Sequence, residues 1–89
     1  MWHLRIKIYG RVQGVFFRHS AREKAEELGI SGFARNEPDG TVYIEAEGGK
    51  VKLEKFLEWC RKGPPLARVE KVDFEYQPDT KEFDGFAME

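Results

Sequence analysis

The chain has 89 residues, 40% of them hydrophobic and 35% charged, which is typical of one soluble domain built around a single core. No apolar run is long enough to span a bilayer or to serve as a secretory signal, and the net charge of −1 argues against bulk electrostatic binding to nucleic acid. The single Cys60 cannot form an internal disulfide, so we expect a cytoplasmic protein, one domain over residues 1–89, whose lone thiol is a small core residue.

The N-terminal part of the chain predicts a strand and then a helix. Residues 3–9 alternate between polar and apolar side chains, as a strand with one buried face does. Residues 17–28 carry apolar side chains at spacings of three and four, and Gly29 is a typical left-handed residue to end the resulting helix. Between them lies the stretch GRVQGVFFR, residues 10–18, with two glycines, large apolar residues and a closing arginine.

The middle of the chain predicts a hairpin and a second helix. Strands are indicated over residues 30–35 and 41–47, and the stretch NEPDG between them is rich in turn-forming residues. Two glycines end the second of these strands. Residues 50–62 have the spacing of an amphipathic helix that places Cys60 on its apolar side, and the following GPP ends it.

The C-terminal part predicts a strand over residues 67–76 and a short final strand that uses Phe83, Phe86 and Met88. The resulting order, β-α-β-β-α-β with a tail, is a split β-α-β pattern. It predicts an α+β fold, a two-layer sandwich in which two helices cover one face of an antiparallel sheet. Many activities share such a fold, so function has to be argued from site residues.

The loop before the first helix has the features of an anion-binding turn. Gly10 and Gly14 permit backbone conformations that a side chain would obstruct, and the loop leads to a helix start whose N–H groups have no intrahelical partner. These groups and the guanidinium of Arg18 suit a phosphate-sized anion. The net charge is +3 over residues 1–37 and −4 over residues 38–89, which fits either an anion site or an ordinary solvated surface. The alternative is a βα turn whose apolar residues are simply core.

Asn36, at the end of the second predicted strand, is the second candidate site residue, although asparagine at a turn commonly bonds its own backbone. His19 and Ser20 are neighbours on a helix and point about 100° apart, which argues against a Ser–His nucleophile pair. His3 is expected on the outward face of the first strand, and the carboxylates lie on faces that we expect to be solvated, so no acid/base pair is indicated. Two histidines and one cysteine without CxxC or HExxH spacing support no metal site.

Two stretches of this chain resemble the signature motifs of the acylphosphatase family. GRVQGVFFR, residues 10–18, matches G-x-V-Q-G-V-x-F-R at every specified position. GFARNEPDGTV, residues 32–42, resembles G-x-V-x-N-x-x-D-G-x-V, with Ala34 where the family has valine. The similarity covers essentially the whole chain, and it implies the family's ferredoxin-like fold, whose element order is the one predicted above.

The resemblance implies an enzyme that hydrolyses the carboxyl-phosphate bond of acyl phosphates to a carboxylate and inorganic phosphate. It gives Arg18 the role of binding the phosphoryl group and Asn36 the role of positioning the attacking water. The loop residues whose main-chain N–H groups are expected to share in phosphate binding are Gly14, Val15, Phe16 and Phe17, with the last three side chains packed as supports. No metal or cofactor is implied. We expect a monomer whose partner is a small-molecule acyl phosphate, without nucleic-acid or membrane partners.

Two other classes of function are less well supported by the sequence. An RNA-binding module of similar fold would display a longer aromatic sheet motif, of which this chain has only GFA at residues 32–34. A non-catalytic phosphate sensor would need Arg18 but not Asn36. The physiological acyl group is not indicated, because nothing outside the loop predicts a pocket shaped for one.

Overall fold

The secondary-structure elements follow the predicted order in the computed structural model, which describes residues 1–78 and 82–89. Within these residues the elements are β1 (Trp2–Arg11), α1 (Phe17–Leu28), β2 (Ser31–Asn36), β3 (Val42–Gly48), α2 (Lys50–Lys62), β4 (Arg68–Pro78) and β5 (Phe86–Met88). Both helices have the predicted bounds, and β1 to β4 lie within one or two residues of theirs. The final strand is shorter than predicted, since Phe83 lies outside it. Of the two helices in the described ranges, neither is long and apolar enough to cross a membrane.

The strands described form one sheet in the order β4-β1-β3-β2-β5, and β1 to β4 pair antiparallel as predicted. β5 departs from the expected antiparallel sheet because it pairs parallel with β2, which aligns Phe33 with Ala87. The connection explains this direction. β4 ends and β2 begins at the same end of the sheet, so a chain that reaches the free edge of β2 from that end runs beside it in the same direction.

One face of the sheet packs against both helices and forms the core. The largest fully buried side chains include Leu4, Ile6, Ile8, Phe17, Ile44, Leu53 and Phe56. Burying each of these side chains is worth about 1.5–3 kcal/mol relative to leaving it exposed. Cys60 lies in the same core, as predicted, and burial raises the pKa of its thiol well above the usual value.

The other face of the sheet carries charged and aromatic side chains, and one end of it is covered. His3 is buried there, with its Nε2 2.7 Å from Glu45 Oε1 and its Nδ1 3.4 Å from Glu47 Oε2. Glu47 is 1% exposed and accepts hydrogen bonds from the main-chain N–H groups of Glu82, at 2.8 Å, and Phe83, at 2.9 Å. The ring of Phe83 lies 5.8 Å from that of His3. His3 thus lies on the outward face, as predicted, but the predicted solvation is wrong at Glu47, because residues 82 and 83 cover this end of the face.

Candidate active site

The loop between β1 and α1 has two residues in the left-handed region of the backbone. Gly14 has a φ of 74°, and Phe16, which stands at the N-terminal cap of α1, has a φ of 64°. This conformation is uncommon and strained for a large side chain. No side chain caps α1, so the main-chain N–H groups at its start have neither an intrahelical acceptor nor a capping one. The start of α1 thus offers main-chain donors to an anion.

The side chains of this loop divide between the core and the solvent. Val15 and Phe17 are buried, as predicted for side chains that hold the loop in place. Phe16 is 72% exposed, so the prediction that it packs as a support is wrong. The left-handed backbone at Phe16 directs its ring outward while both neighbours face inward. Gly10, which we expected to help the loop turn, lies within β1 instead.

Arg18 and Asn36 line one cavity although they lie on different elements. Arg18 is the second residue of α1, and Asn36 is the last residue of β2. The cavity has a volume of about 480 Å³. Its lining consists of Val12, Gly14, Phe16, Phe17, Arg18, His19, Asn36 and Met88. The fold therefore brings together the two candidate residues, a proximity that the sequence alone could not establish.

The guanidinium of Arg18 is held at this cavity by the end of the sheet. Its Nη1 donates a hydrogen bond to the main-chain oxygen of Glu89. The main-chain N–H of Glu89 in turn donates to the oxygen of Ala34 at 2.9 Å, which ties Glu89 to β2. A guanidinium has five N–H donors, so one such bond leaves others for an anion in the cavity.

Gln13 connects the loop to the β2–β3 hairpin, a contact that the sequence did not indicate. Its side-chain Nε2 donates to the main-chain oxygen of Glu37 at 2.8 Å and to that of Thr41 at 3.0 Å. Glu37 directly follows Asn36, so these bonds hold the end of β2 beside the loop. The sequence indicated Gln13 only through its place in the first motif. Its hydrogen-bond partners lie 24 and 28 residues away and could not be predicted from the sequence.

Asp39 and Thr41 close the turn of the same hairpin. Asp39 Oδ1 accepts hydrogen bonds from the Thr41 hydroxyl at 2.6 Å and from its main-chain N–H at 3.1 Å, and Oδ2 lies 3.0 Å from Lys7 Nζ. The two bonds from Thr41, followed by that from Lys7, lower the pKa of Asp39 from 3.8 to about 2. The hydrogen bond and charge of Asp39 raise the pKa of Lys7. Among the described residues the Asn36 side chain has no hydrogen-bond partner, so the turn does not use its amide.

The chain is similar to known proteins over nearly its whole length. A family model described as Acylphosphatase matches residues 4–88. An acylphosphatase of Methylococcus capsulatus (strain Bath) is 48% identical over 88 residues, which cover 99% of this chain and 96% of that protein. The crystal structure of acylphosphatase from Bacillus subtilis is similar with a TM-score of 0.95 and 32% identity, covering 99% of this chain and 98% of that one. The structure of an acylphosphatase from Coxiella burnetii gives a TM-score of 0.92 and 36% identity, covering 98% and 90% of the two chains.

Proposed function

The chain belongs to the acylphosphatase family and hydrolyses acyl phosphates, and from this premise we propose that Arg18 binds the phosphoryl group while Asn36 orients the attacking water. The observation that supports these roles best is the single cavity that both side chains line, at the uncapped start of α1. The chemistry then follows from what a guanidinium, a set of main-chain N–H groups and one amide can do.

Phosphoryl binding rests on donors that are already in place before substrate arrives. The N–H groups of residues 14–17 and the positive end of α1 suit an anion, and the planar guanidinium of Arg18 can bond two phosphoryl oxygens at once. Glu89 and Ala34 restrain the side chain of Arg18 through the hydrogen bonds described above. Donors that need no rearrangement stabilise the transferring phosphoryl group as its charge distribution changes in the transition state.

Water activation requires only orientation in this reaction. Water attacks phosphorus, the bond between phosphorus and the acyl oxygen breaks, and its electron pair leaves with the carboxylate. Because a carboxylic acid has a pKa of about 4, the leaving group needs no protonation. The amide of Asn36 has an oxygen that accepts from the water and an NH₂ that donates to a phosphoryl oxygen. An amide takes up no proton at neutral pH, so the proton of the water passes to a phosphoryl oxygen or to solvent.

The reaction as proposed uses no metal, no cofactor and no second subunit. Within residues 1–78 and 82–89, no three or more His, Cys, Asp or Glu side chains are grouped as metal ligands. The sheet and both helices share one core. We therefore propose that residues 1–89 act as a single domain. We also propose a monomer, with inorganic phosphate as a product.

Nucleic-acid binding on the open sheet face is disfavoured by the surroundings of Phe33. RNA-binding sheets stack bases on exposed aromatic rings. The ring of Phe33 is buried, and it lies 5.5 Å from the ring of Phe83 and 6.0 Å from that of Tyr43. Phe33, the aromatic residue of the GFA stretch that resembled an RNA-binding motif, is thus covered by other side chains of the same chain.

Substitutions of Arg18 and Asn36 test the proposed roles in benzoyl phosphate hydrolysis. Arg18→Ala is expected to abolish turnover and competitive inhibition by inorganic phosphate, because it removes the charged donor. Asn36→Ala is expected to lower kcat by about 10²-fold with a smaller change in KM, because it removes an interaction used mainly in the transition state. Arg22→Ala removes an arginine one turn further along α1 and outside the cavity lining, and it should retain activity.

Full activity in folded Arg18→Ala or Asn36→Ala would reject the roles assigned to them. Circular dichroism of each variant establishes that the fold is retained. Metal independence is tested on the unmodified enzyme after dialysis against a chelator, where we expect kcat/KM to stay unchanged. Loss of activity that a divalent metal restores would contradict the metal-free reaction.

A further inference from the structure

The cavity around Arg18 has an apolar mouth that the phosphoryl group does not need. Its volume of about 480 Å³ lies in the range of sites that hold small organic molecules. Phe16 and Met88 both line it, and their side chains are 72% and 40% exposed. Large apolar side chains at the mouth of a site gain from burial when a ligand covers them.

The backbone at Phe16 keeps this ring at the mouth. Its φ of 64° is strained for a bulky residue, and strain of this kind is concentrated at ligand and active sites. The buried neighbours Val15 and Phe17 anchor the loop on either side. Met88 approaches from the edge strand β5, where its flexible thioether can adapt to ligands of different shape.

We propose that Phe16 and Met88 form the acyl-group subsite of this enzyme, which favours apolar and above all aromatic acyl groups. The proposal rests on the proposed function, since the phosphoryl group bound at Arg18 determines where the acyl group lies. The acyl carbon is joined to phosphorus through a single oxygen, so the acyl group leaves the phosphoryl site between the nearest walls. An aromatic acyl group can pack on the ring of Phe16 and contact the sulfur of Met88.

The lining also disfavours acyl groups that carry a second negative charge. Arg18 is committed to the phosphoryl group, and the Nε2 of His19 lies 3.7 Å from the carboxylate of Glu23. A second carboxylate would lose hydration against Phe16 and Met88 without gaining a charged partner from the other described lining residues. An uncharged acyl group of the same length has no such cost.

The ratio of kcat/KM for benzoyl phosphate to that for acetyl phosphate tests the subsite. Phe16→Asn removes the ring at a position where asparagine tolerates the left-handed backbone, and it should lower the ratio about tenfold. Met88→Ala should lower it about threefold. Leu66→Ala removes a side chain that is 66% exposed and outside the cavity lining, and it should leave the ratio and the activity unchanged. Comparing each variant with the unmodified enzyme cancels the intrinsic reactivity of the two substrates.

A ratio that stays within twofold of the unmodified enzyme in both Phe16→Asn and Met88→Ala would overturn the subsite. If Phe16→Asn weakens inhibition by inorganic phosphate, its loop has changed, and Met88→Ala then decides the question from β5. Succinyl phosphate should have a lower kcat/KM than butyryl phosphate, and the reverse order would also overturn the proposal. The proposed function fails separately, because activity in Arg18→Ala or Asn36→Ala would contradict those roles whatever the acyl preference.

Discussion

Gln13 joins the two parts of the proposed active site through one side-chain amide. Two hydrogen bonds from its Nε2 reach main-chain oxygens of the hairpin that carries Asn36. A typical intramolecular hydrogen bond contributes about 0.5–1.5 kcal/mol net, so the pair is worth little to global stability. Their effect on the position of Asn36 matters more, because misplacing a positioning group by about 1 Å can lower the rate about 10²-fold.

Gln13→Ala is expected to lower kcat about tenfold while KM changes less than twofold. The physical reason is that the end of β2 loses its tie to the loop, so Asn36 orients water less well. The measurement is benzoyl phosphate hydrolysis by Gln13→Ala, Asn36→Ala and the double variant. We expect Gln13→Ala to cost less in the Asn36→Ala background, whereas strictly additive free energies would contradict a positioning role. Gln77→Ala, which removes a half-buried glutamine of β4 that bonds Glu75, is the matched control.

Asp39 makes the turn of the hairpin sensitive to strong acid. Its pKa is 3.8 ordinarily and about 2 in the folded chain, so its stabilising contribution is complete above about pH 4.5 and is lost as the pH falls towards 2. The difference in Tm between the unmodified protein and Asp39→Asn should therefore be constant near neutral pH and narrow between about pH 4 and pH 2. Thermal unfolding over a pH series measures it, and a difference that widens in acid would contradict this assignment.

Single residues were predictable from the sequence where their own chemistry identified them. Arg18 and Asn36 stood out as a guanidinium at a helix start and an amide at a strand end, and the family resemblance gave each a role. Phe16 was mispredicted because apolar character indicates burial, whereas its left-handed backbone turns the ring outward. The bonds of Gln13 depend on how two distant segments pack, which no local pattern contains.

Strands β1 and β4 approach each other closely at Gly10. The register between them shifts between Tyr9 and Gly10, and the φ of Gly10 is 127°. A Cβ added there would lie 2.2 Å from the main-chain oxygen of Arg68, which is a direct clash with backbone. Gly10 therefore allows β1 and β4 to pair closely. This pairing in turn sets the direction in which the chain leaves β1 and enters the loop.

Gly10→Ala is expected to reduce the free energy of unfolding by about 2 kcal/mol or more, because a strained φ and a backbone clash occur together. Gly49→Ala is the control. Gly49 has a φ of −67°, and an added Cβ there would have no neighbour within 4 Å, so it should cost less than about 1 kcal/mol. Denaturant unfolding of both variants tests the difference. Equal effects of the two substitutions would contradict the role of Gly10 in strand pairing.

The bounds of an element were predicted well where its apolar residues have a clear spacing and a glycine marks its end. α1 and α2 have apolar side chains at helical spacing, and Gly29 and Gly63 mark their C-terminal ends. The predicted bounds of both helices therefore agree with the structure. β5 has three residues, too few for a period to indicate its direction. Its parallel pairing with β2 follows from where β4 leaves the sheet, which is a property of the topology and not of the strand itself.

At the scale of the whole molecule, the proposed active site lies at one end of the sheet, and the cluster of His3, Glu45 and Glu47 extends from the other end. His3 lies near the start of β1, while the loop proposed to bind the phosphoryl group follows the end of β1. Glu47 lies opposite Ser31, five residues from Asn36 along β2, which at about 3.3 Å per residue separates the two levels of the sheet by roughly 17 Å. Glu45 lies opposite Phe33, three residues from Asn36, and is therefore nearer to the proposed site than Glu47 is.

Glu47→Ala should therefore lower the stability of the fold without lowering its catalytic activity. It leaves His3 and the main-chain N–H groups before β5 without a buried carboxylate, which we expect to cost about 3 kcal/mol of unfolding free energy. The kcat of the folded variant should be unchanged, as measured well below its Tm. Glu58→Ala removes an exposed carboxylate of α2 and should change the unfolding free energy by less than about 0.5 kcal/mol. A large loss of kcat in folded Glu47→Ala would show that the two ends are coupled.

The hydrogen bond from Arg18 to Glu89 spans 71 positions of the chain. Contacts at such separation form slowly, because the entropy of closing a long loop is lost before the contact is gained. During refolding, α1 can form from neighbouring residues, whereas this restraint on the guanidinium requires Glu89 to be held beside Ala34 of β2. Since Arg18 is proposed to bind the phosphoryl group, recovery of hydrolysis during refolding is expected no earlier than the pairing of β5 with β2.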